Sequence, residues 1–212
     1  ALRAGYRILE IHGAHGYLIH SFLSPVTNKR ADTYGGSLQN RIRLALDVTS
    51  AIRAMIPAEI PLFFRLSAID GVKNGWSLDD SIFLSRQLAL LGVDVIDCSS
   101  GGIVGSATAA KNTKKEPGFQ VPYASQIRSQ AMIETMAVGL ITHPLQAEKI
   151  LIGGHADLIA IGREALVNPN WPLAAAQTLG LKAPFEQLPS QAGWWLEQRS
   201  ENSKFYEQDE IE

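Results

Sequence analysis

The chain has 212 residues, 46% of them hydrophobic and 19% charged, a composition typical of a soluble globular protein. Its net charge of −2 gives no electrostatic reason to expect binding to nucleic acid or to a membrane, and no apolar run reaches the roughly 18 residues of a membrane-spanning helix. The single cysteine, Cys98, excludes an internal disulfide and predicts a reducing, cytoplasmic location.

Short apolar runs alternate with longer amphipathic stretches along the chain. The runs predict five strands, at residues 7–12, 61–67, 93–99, 135–141 and 157–162. Apolar residues spaced by three and four predict helices at 40–55 and 80–91, and a further helix opens at Pro144, since proline is favoured in a first helical turn. The first residues resemble a helix end followed at once by a strand, so the sequence is expected to begin inside a domain.

Strands that alternate with helices indicate βαβ units and a parallel sheet. A dinucleotide-binding sheet would carry G-x-G-x-x-G after its first strand, and this motif is absent from the sequence. Polar and glycine residues follow the strands instead, as in the sites of (β/α)8 TIM barrels. We therefore predict an α/β TIM barrel, incomplete and covering about the fourth to eighth βα units, over residues 1–189, with a C-terminal tail over 190–212.

The stretch "EIHGAHGYLIHSFLSP" places His12, His15 and Tyr17 where the first strand ends. Two imidazole N–H groups that converge on one point suit an oxygen that gains negative charge during a reaction. A nearby phenol suits a proton donor. A single histidine at a strand end is commonly structural, so it is the convergence of three such groups that indicates a catalytic site.

The second predicted strand contains a charged residue, Arg65, among apolar neighbours in "PLFFRLS". A buried guanidinium needs an anionic or polar partner, because an unpaired buried charge is costly. The partner is either a ligand or a carboxylate of the protein itself, Glu10 or Asp97, in a structural ion pair.

Glycines end the last two predicted strands, Gly139 in "MAVGLIT" and Gly162 in "LIAIGREAL", and Arg163 follows directly. In TIM barrels the loops after the seventh and eighth strands most often hold a phosphate. The two glycines would allow close backbone approach and Arg163 would add a charged contact. Alternatively, the glycines relieve packing and Arg163 caps a surface helix.

Several segments together resemble one known family. "EIHGAHGYLIHSFLSPVTNKRADTYGGSLQNRIR" is similar to the signature of the old yellow enzymes, which are FMN-dependent ene-reductases. "FFRLSA", "IDCSSGG", "PGFQVPYASQIR", "AVGLIT" and "ADLIAIGREAL" follow in the family's order. The H-x-x-H form and "IDCSSGG" resemble the branch that contains the xenobiotic reductases. The resemblance covers about residues 1–180.

The resemblance implies a reaction and a substrate site. His12 and His15 would bind the substrate's carbonyl or nitro oxygen, and Tyr17 would protonate the substrate. NADPH or NADH would supply hydride, and the substrate would be an activated alkene, such as an enone or maleimide, or a nitro compound.

The resemblance also implies how FMN is held. Arg65 would lie beside the pyrimidine edge of the flavin, and Gly139, Gly162 and Arg163 would hold its phosphate. The loop at 28–41 would support this face, with Asp32 paired to Arg41 rather than touching substrate.

The C-terminal tail resembles a segment that, in one branch of the family, enters the site of a neighbouring subunit. Trp195, or Trp194, would then form an aromatic wall for the substrate, with Arg199 as a weaker candidate, and the full-length protein would be a homo-oligomer. In the alternative, the tryptophans pack on their own barrel.

Two other functions are compatible with the sequence. A metal-dependent hydrolase would take ligands from Glu10, His12, His15 and His20, although no second histidine cluster or strand-end aspartate completes a set. A catalytically incompetent barrel fragment would keep these motifs without binding flavin, because retaining a motif and performing its chemistry are separate properties.

Overall fold

Five strands form a single parallel sheet in a computed structural model that describes residues 1–104, 110 and 113–202. Each strand pairs with the next in chain order, from β1 to β5. Their bounds are β1 Leu9–Gly13, β2 Leu62–Ser67, β3 Val95–Ser99, β4 Glu134–Ala137 and β5 Leu158–Ile159. The five predicted strands and their parallel arrangement are confirmed, and the order is that of consecutive units in an α/β barrel.

Helices follow the strands. They are α1 Leu18–Leu23, α2 Leu38–Met55, α3 Leu78–Leu90, α4 Val121–Ala131, α5 Pro144–Ile152, α6 Arg163–Val167, α7 Trp171–Thr178 and α8 Ser190–Glu201. The two longest helices begin two residues before their predicted starts, and each is capped by a serine. The Ser37 hydroxyl accepts a hydrogen bond from the Asn40 N–H, and Ser77 forms a reciprocal capping box with Asp80. In the described residues, no helix is both long and apolar enough to span a bilayer.

The described residues fall into two compact units. The first comprises Ala1–Thr142 and Ala147–Ile161, and so contains the whole sheet. The second comprises His143–Gln146 and the chain from Gly162, described as far as Asn202. The predicted boundary between residues 189 and 190 stays a prediction, and residues 203–212 of the predicted tail lie outside the described residues.

The two faces of the sheet differ in chemistry. Residues on the helix-covered face are buried and apolar, among them Ile11, Phe64 and Ile96. On the other face, the strand register aligns His12 with Arg65 and Arg65 with Asp97. This alternation has the period of two that is usual along a β-strand. It gathers the charged side chains on the face that lies inside a closed barrel.

The loop before α2 differs from its prediction. Asp32 forms an exposed ion pair with Arg30, not with Arg41. The Arg41 guanidinium is buried and donates to two backbone carbonyls, those of Leu23 (2.8 Å) and Gly36 (2.7 Å). Arg41 therefore ties the end of α1 to the start of α2, and the predicted pair of Asp32 and Arg41 is wrong.

Candidate active site

The predicted catalytic residues lie together at the carboxyl end of β1. His12 is in the strand, and His15 and Tyr17 are in the turn that follows it. The His12 ring centroid lies 5.2 Å from that of His15 and 5.4 Å from that of Tyr17. Two imidazoles and a phenol therefore border one small region at the strand end.

Backbone hydrogen bonds hold this turn. Three consecutive N–H groups are engaged: His15 donates to Ser67 Oγ (3.1 Å), Gly16 to His20 Nδ1 (2.9 Å) and Tyr17 to the Ala14 carbonyl (3.2 Å). Ser67 in turn donates to the Gly101 carbonyl at 2.6 Å. The turn after β1 is thus tied to the end of β2 and to the loop after β3.

Two glycines allow the turn after β1 to touch the loop after β3. Gly16 has φ +79° and Gly102 has φ +107°, values that side chains rarely adopt. A Cβ on Gly102 would overlap the backbone of His15, and a Cβ on Gly16 would overlap the Gly102 carbonyl. His15 itself has φ 60°, an uncommon value for a residue with a side chain.

One nitrogen of the His15 ring, Nε2, is buried without a hydrogen-bond partner in the described residues. Burial, together with the charge of Arg65 and then of the neighbouring histidines, lowers the pKa of His15 to about 4. Burial and Arg65 also lower the pKa of His12. Both rings are therefore neutral at pH 7, and each offers one N–H group.

The partner of Arg65 is Asp97. The Arg65 Nε lies 2.9 Å from Asp97 Oδ2, and its Nη2 donates to Ser99 Oγ at 2.9 Å. Burial raises the pKa of Asp97 to about 7, which the charge of Arg65 only partly counteracts and that of Glu10 reinforces. Asp97 Oδ1 is buried without a hydrogen-bond partner in the described part of the chain. Arg65 therefore forms the predicted ion pair with Asp97. This pair leaves further N–H groups of the Arg65 guanidinium for a ligand.

Sequence analysis missed a buried network beside the turn. His20 Nε2 lies 2.9 Å from Asp70 Oδ1, and Asp70 Oδ2 accepts from Ser24 Oγ (2.6 Å) and the Trp76 N–H (2.8 Å). Burial alone would raise the pKa of Asp70, but these hydrogen bonds outweigh it and the pKa is lowered. Both ring nitrogens of His20 are thus engaged within the protein.

The proposed metal ligands do not form a set. His20 was one of them, and its nitrogens already bind Gly16 and Asp70. Across residues 1–104, 110 and 113–202, no group of three histidine, cysteine or acidic side chains is placed to hold a metal ion. The metal-dependent hydrolase therefore has no support in the described residues.

The predicted phosphate contacts lie in both units. Gly139, in the first unit, follows β4 with φ +121°, and its carbonyl accepts from the Gly118 N–H at 2.8 Å. Gly162 precedes α6 in the second unit, and a Cβ there would meet no atom of the described residues within 4 Å. Arg163 is exposed at the start of α6. Their role in holding phosphate stays a prediction.

The two tryptophans of α8 are largely exposed within the second unit. Their rings pack edge to face, with centroids 4.5 Å apart, and the residues are 54% and 68% exposed for Trp194 and Trp195. Tryptophan side chains usually pack in a protein core, and an exposed pair is more typical of a binding surface.

The opposed pKa shifts of His15 and Asp97 predict how stability depends on pH. Between pH 6.5 and about 4 the unfolded chain binds a proton at His15 that the folded chain does not, so the His15 contribution to stability rises with pH. Between about pH 4 and 7 the folded chain keeps a proton on Asp97 that the unfolded chain has lost. The Asp97 contribution to stability therefore falls as pH rises through this range.

We expect His15→Asn to make the slope of the unfolding free energy against pH more negative than in the unchanged chain, by at most about 1.4 kcal/mol per pH unit. Asp97→Asn should shift the slope in the opposite sense. Urea denaturation at pH 4.5, 5.5 and 6.5 measures both. Equal slopes of the unfolding free energy against pH in all three proteins would contradict the assigned pKa shifts.

A parallel βα sheet with polar groups gathered at its strand ends defines an enzyme of the α/β-barrel class. A sequence profile of the NADH:flavin oxidoreductase / NADH oxidase family matches residues 1–182, and the chain belongs to that family. The resemblance to the old yellow enzymes is thus confirmed. FMN and NAD(P)H are the cofactors of this family, as the resemblance implied.

Individual relatives agree with this assignment. The chain is 51% identical over 180 residues to an NADPH dehydrogenase of Halalkalibacterium halodurans, covering 85% of this chain and 51% of the relative. An old yellow enzyme homologue from Zymomonas mobilis superposes with a TM-score of 0.67 at 29% identity, over 84% of this chain and 48% of that one. A 2-naphthoyl-CoA reductase reaches 0.76 at 26% identity, over 84% and 27%. The chain spans about half the length of the curated relatives it matches.

Proposed function

We propose that this chain carries the substrate-oxygen site and part of the flavin site of an FMN-dependent NADPH dehydrogenase. The substrates are activated alkenes, such as enones and maleimides, or nitro compounds. The observation that carries the proposal is the buried Nε2 of His15, which lies beside the His12 ring and has no hydrogen-bond partner among the residues that the structure describes. A buried polar atom without a partner is costly, so its retention at a strand end supports a role in binding a ligand.

The two imidazoles act as neutral hydrogen-bond donors. Their lowered pKa values keep them uncharged at neutral pH. A neutral N–H group can bind a carbonyl or nitro oxygen without donating its proton outright, and the bond strengthens as the oxygen becomes negative. His12 and His15 therefore orient the substrate and stabilise its developing charge.

Tyr17 supplies the proton. Its ring lies beside His12, and its side chain is exposed rather than committed to the core. A phenol that is accessible at the edge of the oxygen site can protonate the carbon of a bound alkene.

In the proposed arrangement, residues of this chain would hold FMN at two positions. FMN held there would supply the hydride-transfer chemistry that links NAD(P)H to the substrate. Arg65, held by Asp97 and Ser99, retains N–H groups for the electron-rich pyrimidine edge. Gly139, Gly162 and Arg163 would hold the phosphate, which needs close backbone approach and a cation.

The C-terminal tail is proposed to contribute to the substrate site. Trp195, with Trp194 packed against it, would form an aromatic wall for substrate in a homo-oligomer of the full-length protein. Its exposure supports a binding role, since a buried ring could not reach a partner.

Flavin retention tests the proposal. The chain is mixed with excess FMN, desalted, and its visible absorption recorded; we expect bound flavin that bleaches with NADPH under anaerobic conditions and recovers with an enone. Arg65→Met should weaken FMN binding about 10- to 100-fold, the loss expected for a charged hydrogen bond. Arg30→Met, which removes a cation from an exposed pair, is the matched control and should bind normally. Absence of flavin in the unchanged chain would contradict the proposal and favour the incompetent fragment.

A further inference from the structure

His20 has no role in the proposed reaction, but it lies against the turn after β1, which carries the proposed catalytic residues. His20 and Asp70 are fully buried, and His20 Nδ1 accepts the Gly16 N–H at 2.9 Å. Resting on the proposed function, we propose that His20, oriented by Asp70, is a positioning residue: it fixes the peptide between His15 and Gly16 and so aims the oxygen-binding imidazoles.

The hydrogen bonds allow only one arrangement of the proton on His20. A backbone N–H can only donate, so Nδ1 must be the unprotonated nitrogen. The proton then lies on Nε2 and is donated to Asp70 Oδ1, 2.9 Å away. Asp70 is itself held by Ser24 and the Trp76 N–H. A carboxylate at this position therefore selects the histidine tautomer that the turn requires.

The turn needs this support because its backbone is unfavourable. His15 has φ 60°, a left-handed conformation that costs of order 1–3 kcal/mol for a residue with a side chain. The Gly16 N–H belongs to the peptide that directly follows it. Without an acceptor for that N–H, the peptide is free to relax, and the His15 ring moves with it away from His12.

The role of His20 is not apparent from the sequence, because two other interpretations of this residue are equally compatible with it. His20 lies in α1, three residues after Tyr17, where it resembles an ordinary helical residue or a metal ligand. Its partner is fifty positions away along the chain, in the loop after β2. Only the folded structure joins the two loops through one imidazole.

Nuclear magnetic resonance of the ¹⁵N-labelled chain tests the proposal without any flavin, so the result is independent of FMN binding. In the unchanged chain we expect His20 as the Nε2–H tautomer, a scalar coupling across the N–H···N bond from Gly16, and a nuclear Overhauser effect between the His12 and His15 rings. His20→Phe should abolish the ring-to-ring effect and raise the exchange rate of the Gly16 amide at least about tenfold, the loss expected for one hydrogen bond.

Ser81→Ala is the matched control. Ser81 is buried, accepts from the Trp76 indole at 2.6 Å and donates to the Ala68 carbonyl, so its loss also destabilises the core but leaves the Gly16 bond intact. We expect this variant to keep the ring-to-ring effect and the slow Gly16 exchange. Equal changes in both variants would reduce His20 to a structural role and overturn the proposal. The Nδ1–H tautomer in the unchanged chain would overturn it even if His20→Phe failed to fold.

Discussion

Replacing His15 with alanine is expected to lower kcat/KM for enone reduction by the FMN-loaded protein about 100- to 1000-fold, the usual cost of losing one donor to a developing oxyanion. The bound flavin should be unchanged, because His15 contacts substrate rather than cofactor in the proposed arrangement. Steady-state kinetics with NADPH and an enone, normalised to flavin absorption, measures the effect.

Two further variants make this prediction specific. His15→Asn should retain more activity than His15→Ala, since its amide N–H can still donate toward the substrate oxygen. His155→Ala is the control: His155 is exposed between α5 and β5, where its Nδ1 lies 3.4 Å from Ser125 Oγ. Normal activity in His15→Ala would remove His15 from the oxygen site.

Gly102→Ala is expected to destabilise the protein by about 4 kcal/mol. Two costs combine: a left-handed backbone at φ +107° that alanine resists, and a Cβ that overlaps the His15 backbone. Because the obstruction is backbone rather than a flexible side chain, the turn after β1 has to move. Urea denaturation followed by circular dichroism measures the loss of stability.

Gly36→Ala separates the two costs of the Gly102 substitution. Gly36 has φ +81°, yet a Cβ there would meet no atom within 4 Å in the part of the chain that the structure describes, so this variant carries the conformational cost alone. We expect a loss of about 1 kcal/mol. Similar losses in the two variants would show that the turn does not press against Gly102 in solution.

The sheet was predictable because its strands are short apolar runs bounded by turn residues. The last two strands were predicted too long, however. β4 ends at Ala137, and the positive φ values of Gly139 and Leu140 interrupt the regular strand conformation beyond it. The apolar sequence of this segment does not indicate that change in backbone conformation. β5 keeps only two residues, Leu158–Ile159, and pairs on one side with β4.

The site was predictable where its residues are close in sequence. His12, His15 and Tyr17 lie within one short segment, so their proximity follows from a single strand and turn. The partner of Arg65 depends on the strand register, which aligns Arg65 with Asp97. The sequence does not reveal this register, so sequence alone leaves both Asp97 and Glu10 as candidates. Arg41 was misassigned because its acceptors are backbone carbonyls, which no sequence pattern marks.

The supports of the oxygen site have a consequence for chimaeric enzymes. Ser67, the His20–Asp70 pair and Gly102 all lie between β1 and the loop after β3, in the same stretch of chain as the histidines they hold. A recombination crossover before Leu9 and another after Gly102 would therefore transfer the oxygen site with its supports as one cassette. The proposed phosphate contacts lie beyond that crossover, so a chimaera would take these contacts from one parent and the oxygen site, together with Arg65, from the other.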